Sequence, residues 1–315
     1  MIDGKGRSIE YLRLSVTDRC NCRCAYCMPA GGIPMLGHSD ILSFEELEAV
    51  VRAAAELGVR KVRLTGGEPL VRRGIVDLVG MIAQVPGVEE LAMTTNACLL
   101  APVARALREA GLSRLNVSLD TLRADRYEKI TRGGRLEDAL AGLEAAREAG
   151  FSRTKINCVL MGGVNDDEVA DLAAFAKDSP VDVRFIELMP IGPAATMAPG
   201  AFVCADIVLD ALPGLEPCGR DGVAELYRMD GWAGRVGLIR PMSHKFCDGC
   251  SRIRVTADGR LKPCLHSSAE INLRGLGHDE LLAALRAGIA AKPAYHLMDQ
   301  THASESARDM NEIGG

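Results

Sequence analysis

The sequence predicts an α/β fold: a partial β/α barrel of TIM type, open after about six units, with a smaller α+β extension behind it. Three observations carry this prediction. Short β-like runs alternate with helix-like runs through the first two-thirds of the chain. The β-like runs split into one polar and one apolar face. The alternation stops near Pro190, beyond which the chain turns Gly- and Pro-rich.

Taken in order, the runs are YLRLSV, a helical stretch Ser43–Leu57, VRKVRL, Ile75–Gln84, ELAMTT, Leu99–Ala110 and RLNVSL. The series continues through Leu136–Ala149, RTKINCVL, Asp166–Ala176 and VDVRFIEL. Each β-run followed by a helix is one βα unit, and helical crossovers favour parallel pairing. Beyond residue 190, short strands are predicted at LYRM, VGLI, RIRVT and RLKP, with a helix over Asp279–Ile289. The expected division is therefore a barrel over residues 1–190 and an extension over 191–315.

The alternation within the strands says which face meets what. Tyr11, Arg13, Ser15 and Thr17 share one face of the first run, while Leu12, Leu14 and Val16 share the other. The split recurs with Lys61, Arg63 and Thr65 against Val62 and Leu64, with Asn116 and Ser118, and with Lys155 and Asn157 against Ile156 and Cys158. Helices cover the outside of a barrel, so the polar faces must line the lumen, which is ordinarily packed with Val, Ile and Leu. A charged ligand is expected there. Half-exposed antiparallel strands are the alternative, and the intervening helices speak against them.

Of 315 residues, 48% are hydrophobic and 25% charged, with a formal net charge of −5. The chain has no apolar run approaching the roughly 18 residues of a membrane span, and its first residues lack the pattern of a secretory signal. A cytoplasmic protein without membrane or nucleic-acid partners is expected. Eleven cysteines are many for a reducing compartment and point to metal or redox chemistry.

Their spacing supports this. Cys20, Cys24 and Cys27 form Cys-x-x-x-Cys-x-x-Cys directly after the first strand. Three thiolates can hold three irons of a cubane and leave the fourth open to a substrate. Zinc is the alternative, but it normally takes a fourth ligand nearby. Cys22 reads as a small buried residue that could compete for iron, and Cys98, Cys158, Cys204 and Cys218 read as packing residues. The second strand runs into Thr65-Gly66-Gly67-Glu68-Pro69, where paired glycines permit close backbone approach and a carboxylate could accept a ligand ammonium. A second triad, Cys247, Cys250 and Cys264, allows either a second open-iron cluster or a zinc site completed by His266. Between these cysteines, Arg252 and Arg254 flank Ile253 on one strand, two guanidiniums on one face suited to phosphate.

The cysteine spacing after strand one, with TGGEP after strand two, resembles the radical S-adenosylmethionine superfamily. Two three-cysteine sites, the RIR sequence and the end Ile313-Gly314-Gly315 resemble, within it, the family of lyases that cyclise GTP in the first step of molybdenum cofactor biosynthesis. That resemblance implies two 4Fe-4S clusters and S-adenosylmethionine as cofactors. Carried over by motif, Tyr26, Gly66, Gly67, Glu68, Ser118 and Met189 form the S-adenosylmethionine set. Arg13, Arg63, Thr94, Lys155, Arg252, Ile253 and Arg254 form the GTP set, and Arg13, Arg63, Lys155, Gly314 and Gly315 carry catalysis. The family activity takes the 3′ hydrogen of GTP and joins that carbon to C8 of the guanine. It further implies a flavodoxin- or ferredoxin-type reductant and the next-step cyclic pyranopterin monophosphate synthase as functional partner, and is compatible with a homodimer. A peptide- or RNA-modifying enzyme of the same superfamily and a zinc-bearing interaction module are the other readings. No Walker sequence occurs, so phosphoryl transfer is not expected.

Overall fold

The computed structural model describes residues 1–298 and 303–314. Among these, twelve strands form one open sheet in the order β12-β11-β10-β1-β2-β3-β4-β5-β6-β9-β8-β7. The predicted barrel strands are β1 (Tyr11–Ser15), β2 (Lys61–Thr65), β3 (Glu90–Thr95), β4 (Arg114–Ser118), β5 (Lys155–Leu160) and β6 (Asp182–Glu187), each parallel to the next. This is the partial β/α barrel.

The extension supplies β7 (Glu216–Asp221), β8 (Ala224–Arg228), β9 (Arg235–Ile239), β10 (Arg252–Val255), β11 (Arg260–Lys262) and β12 (Ile271–Asn272). These strands do not build a sheet of their own. β9 pairs with β6 and β10 with β1, both in parallel, so the extension flanks the barrel on both edges. The hairpins β7–β8 and β10–β11 then continue the sheet in antiparallel fashion.

Crossover helices cover the outer face: α1 (Phe44–Glu56), α2 (Ile75–Ala83), α3 (Ala104–Glu109), α4 (Ala124–Thr131), α5 (Leu136–Glu148), α6 (Val169–Ala173) and α7 (Phe175–Asp178). Behind them come α8 (Ile207–Ala211), α9 (His278–Ala290) and α10 (Met310–Ile313). Helix α1 starts where it does because Ser43 and Glu46 form a reciprocal capping box, Ser43 Oγ accepting from Glu46 N at 3.2 Å and Glu46 Oε2 from Ser43 N at 2.7 Å. It then buries Leu47, Val50, Val51 and Ala54. The strands meet these helices with their apolar faces: Leu12, Leu14, Val62, Leu64, Ile156 and Cys158 are at most 1% exposed. No helix among the described residues is long and apolar enough to cross a membrane.

Because one face of each strand holds the core and the other holds the cavity, substitutions should separate by face. Leu64→Ala should lower unfolding stability by roughly 3 kcal/mol. Lys61→Ala, at the exposed start of the same strand, should change it by under about 0.5 kcal/mol. Urea midpoints of the two variants compared with the parent check this.

Candidate active site

The polar strand faces surround one cavity of about 400 Å³, within the usual range for a small-molecule site. Arg13 of β1, Arg63 of β2, Thr94 of β3, Ser118 of β4, Lys155 of β5, and Arg252 and Arg254 of β10 all line it, as do all six cysteines of the two triads. The register explains how distant residues meet. Tyr11 lies beside Arg252 and Arg13 beside Arg254, so the RIR strand extends the cation row of β1 and β2. Ile253 is the exception. It falls on the alternate face, fully buried in the core with Leu12 and Leu14, so its side chain does not reach the cavity.

Like charges crowd this lumen. Burial, then repulsion from Arg254, depresses the Arg13 guanidinium, and burial likewise lowers Arg63. Burial and Arg252 bring Arg254 down to about 10, while burial, Arg184 and Arg114 bring Lys155 down to about 8. Ring faces steer two of the cations: the Arg63 guanidinium stands 5.2 Å from the Tyr11 ring centre and Arg252 stands 5.3 Å from that of Phe246. Buried Arg63 Nε, Thr94 Oγ1, Asn116 Oδ1 and Asn157 Oδ1 have no hydrogen-bond partner. Arg63 Nε, a donor, fits an anionic oxygen, whereas the two amide oxygens, as acceptors, fit hydrogen-bond donors of a polar ligand.

Arg184 of β6, Arg114 of β4 and Lys61 of β2 also line the cavity, although the motifs do not single them out. A signal for Arg184 is present: in VDVRFIEL it alternates with buried Val183 and Phe185, as Arg13 does with Leu12 and Leu14.

The two triads lie at opposite ends of one pair of strands. Cys20, Cys24 and Cys27 follow the C-terminal end of β1. Cys250 precedes β10, and antiparallel β11 returns the chain so that Cys264 comes back level with the start of β10. The five residues of β1 between these ends span roughly 15 Å. All cysteines among the described residues are free thiols. No three or more His, Cys, Asp or Glu side chains there are drawn close enough to hold a single metal ion. The donor set of each triad suits instead a cluster, whose irons take one thiolate apiece.

Around the first triad, Cys20 Sγ accepts from Cys22 N at 3.3 Å and from Asn96 Nδ2 at 3.9 Å, and the hydrogen bond from the Cys22 thiol lowers Cys20 further. The same bond raises the Cys22 thiol, which is 2% exposed and stands as a donor to Cys20. Tyr26 donates to Asp120 Oδ2 at 2.8 Å. Gly66 and Gly67 serve a purpose the sequence does not reveal. A Cβ on either would collide with the carbonyl of Thr17 or Arg19, so these glycines let the loop after β2 pack against the segment entering the triad. Gly67 N and Glu68 N bond those same carbonyls, each at 2.8 Å. Glu68 accepts from Leu70 N, Thr95 Oγ1 and Asn96 N, and burial raises its carboxyl to about 7. Ser118 and Met189 line the same cavity.

At the second triad, burial would raise the Cys250 thiol, but Arg252 and Lys292 outweigh it and bring the thiol down to about 6. Lys292 ties this corner together, its Nζ donating at 2.8 Å to the carbonyls of Arg252 and Pro263. His266 also lines the cavity, its ring centre 4.7 Å from that of His296 and tilted against it. Cys204 and Cys218 are exposed, so unlike Cys158 they do not pack.

The chain end returns to this site. Arg308 grips Glu270 at 2.7 and 2.9 Å and Asp258 at 2.8 Å, and Glu312 Oε2 accepts from Asp309 N at 2.8 Å at the start of α10. Asn311 Nδ2 donates to the Asp18 carbonyl at 3.2 Å, and Arg254 donates to the Gly314 carbonyl at 2.7 Å. Gly314 has φ +77°, and a Cβ there would collide with Thr65 Oγ1, so both the conformation and the fit require glycine. Gly315 lies outside the described residues.

Comparison with known proteins bears on this geometry. Residues 14–176 match the radical SAM superfamily and residues 181–298 match Molybdenum Cofactor Synthesis C. The chain is 48% identical over 320 residues to the GTP 3′,8-cyclase of Alkaliphilus metalliredigens, with 100% of each chain covered. It is 49% identical over 331 residues to that of Pelotomaculum thermopropionicum, again with both chains fully covered. Among solved structures, Streptococcus suis SuiB bound to S-adenosylmethionine shares the fold at TM-score 0.65 and 14% identity, over 97% of this chain and 77% of that one. The anSMEcpe structure with bound AdoMet does so at TM-score 0.57 and 15% identity, over 91% and 84%. On this sequence identity across its full length, the chain belongs to the radical SAM superfamily and, within it, to the GTP 3′,8-cyclase family.

Proposed function

We propose that the protein is a GTP 3′,8-cyclase of molybdenum cofactor biosynthesis, a lyase joining C3′ of the ribose to C8 of the guanine within GTP. The observation that carries this reading is a single cavity with a thiol triad at each end and a row of buried cations between them. Cys20, Cys24 and Cys27 would hold one 4Fe-4S cluster, and Cys247, Cys250 and Cys264 the other. When bound, the first cluster with S-adenosylmethionine supplies the one-electron chemistry that removes a substrate hydrogen, and the second offers an open iron to the base.

The chain's own contribution is positioning. Arg13, Arg63, Lys155, Arg252 and Arg254 present fixed donors to a triphosphate, and Thr94 adds a hydroxyl. Tyr26, the Gly66–Gly67–Glu68 turn, Ser118 and Met189 form the wall on which S-adenosylmethionine would lie. With the triphosphate held by cations and the base at the far triad, the ribose is left facing the first triad, which selects one hydrogen among several similar ones. Gly314, whose carbonyl accepts from Arg254, brings the chain end to this site without a side chain to obstruct it. A flavodoxin- or ferredoxin-type protein would deliver the electron, and cyclic pyranopterin monophosphate synthase would consume the product.

Anaerobic incubation of the cluster-loaded protein with GTP, S-adenosylmethionine and a reductant should yield 3′,8-cyclised dihydroguanosine triphosphate. Cofactor cleavage without a GTP-derived product would refute the reading. Arg252→Ala should weaken GTP binding by roughly tenfold and guanosine binding by far less, because the lost contacts go to phosphate. Equal losses for both ligands would argue against a triphosphate site. Deleting Gly314 and Gly315 should leave iron content and cofactor cleavage intact but reduce cyclised product by at least about tenfold, the loss expected for a misplaced reacting group. A peptide ending in Gly-Gly should restore part of it.

A further inference from the structure

The cation row carries a carboxylate that the proposed reaction does not use. Asp221 ends β7 at the tip of the β7–β8 hairpin, where the chain turns through Gly222, at φ +61°, and Val223. All three tip residues line the cavity. There Asp221 Oδ2 accepts from Lys155 Nζ of β5 and, at 2.6 Å, from Arg184 Nη2 of β6. Lys155 is 4% exposed and Arg184 6%, whereas the Asp221 side chain keeps 38% of its surface.

The other acid nearby is already committed. Asp182 holds Arg235 of β9 at 2.8 and 3.0 Å and lies 3.6 Å from Arg184. Asp221 is thus the anion that neutralises buried Lys155 and shares Arg184 with Asp182, and a buried cation left unpaired is costly. A phosphate oxygen makes the same charge-assisted bonds to the same groups, and it competes with the Asp221 carboxylate for the N–H donors that Asp221 engages.

The hairpin is also built to yield. β7 is the outermost strand, pairs with β8 alone, and is exposed along most of its length. Edge hairpins with few buried contacts open at lower free energy than core strands. Space is reserved beside Arg184 as well: Gly237 of β9 faces its stem, where a Cβ would lie 3.1 Å from Cγ.

We propose that Asp221 is a resident anion that occupies the Lys155–Arg184 corner while no nucleotide is bound and is displaced by the phosphates of the entering substrate. This rests on the reading of the cavity as a triphosphate site. Every ligand that needs the corner then binds with an affinity reduced by the fraction of protein in which Asp221 fills it. A ligand without phosphates does not experience that reduction. Asp221 in this way makes occupancy of the corner conditional on strong negative charge.

The test is equilibrium binding of GTP, inorganic triphosphate and guanosine to cluster-loaded protein under anaerobic conditions, without S-adenosylmethionine. Asp221→Asn keeps the shape and removes the charge; it should bind GTP and triphosphate roughly fivefold tighter than the parent, with guanosine unchanged. Asp221→Ala should move in the same direction, so that a packing defect in one variant does not decide the result. Unchanged or weaker GTP and triphosphate binding in both variants, with the parent preferring GTP over guanosine, would overturn the displacement and make Asp221 a positioning residue for Lys155 and Arg184. A parent protein that binds GTP no better than guanosine would instead overturn the triphosphate site itself, and the displacement with it.

Discussion

The parallel pairing of β10 with β1 is the constraint on which the rest of the site depends. Without it, the second thiol triad would belong to an appendage, and Arg252 and Arg254 would be surface residues of a separate hairpin. With it, Arg254 comes beside Arg13 and Cys264 comes to the opposite end of the same strand pair from Cys20. One sheet edge thus fixes the separation of the triads at about the length of β1. That length suits a nucleotide laid along the strands, and it does not rely on a flexible interface between two domains.

Holding so many cations in one lumen is unfavourable for the fold and useful for the site. Burial and mutual repulsion lower Arg13, Arg254 and Lys155, which means that acceptors brought beside them favour their charged forms. Acids borrowed from the periphery relieve part of this. Glu90 pairs with Arg114, Asp221 with Lys155 and Arg184, and the tail carbonyl of Gly314 with Arg254. The chain end and the β7–β8 hairpin therefore share a physical role: each brings an oxygen acceptor to cations that a substrate would also engage. Stability is then offset locally at the position where binding needs preorganised charge.

Much of this is legible in the sequence. The period-two split of YLRLS, KVRLT and KINCVL is enough to assign Arg13, Arg63 and Lys155 to the lumen, because burial on one face leaves only the other for charge. The thiol spacings point to two clusters for a comparable reason: local ligand spacing is written directly in the chain. What is not legible is long-range. Nothing in residues 216–228 announces that a turn carboxylate reaches across to β5, and helix α4 is short, its buried face limited to Tyr127, Ile130 and Thr131. The role of Gly66 and Gly67 is hidden similarly, since the carbonyls they accommodate belong to a segment some fifty residues earlier. Ile253 is misplaced when RIR is treated as a unit, because the strand period puts its middle residue in the core.

Aiming of the GTP ribose at the first triad is tested most directly with GTP carrying deuterium at C3′, incubated anaerobically with S-adenosylmethionine and reductant, and the recovered 5′-deoxyadenosine examined by mass spectrometry. One deuterium should pass from C3′ into deoxyadenosine, in step with cyclised product. Deoxyadenosine formed without deuterium, while the label stays on the nucleotide, would contradict it.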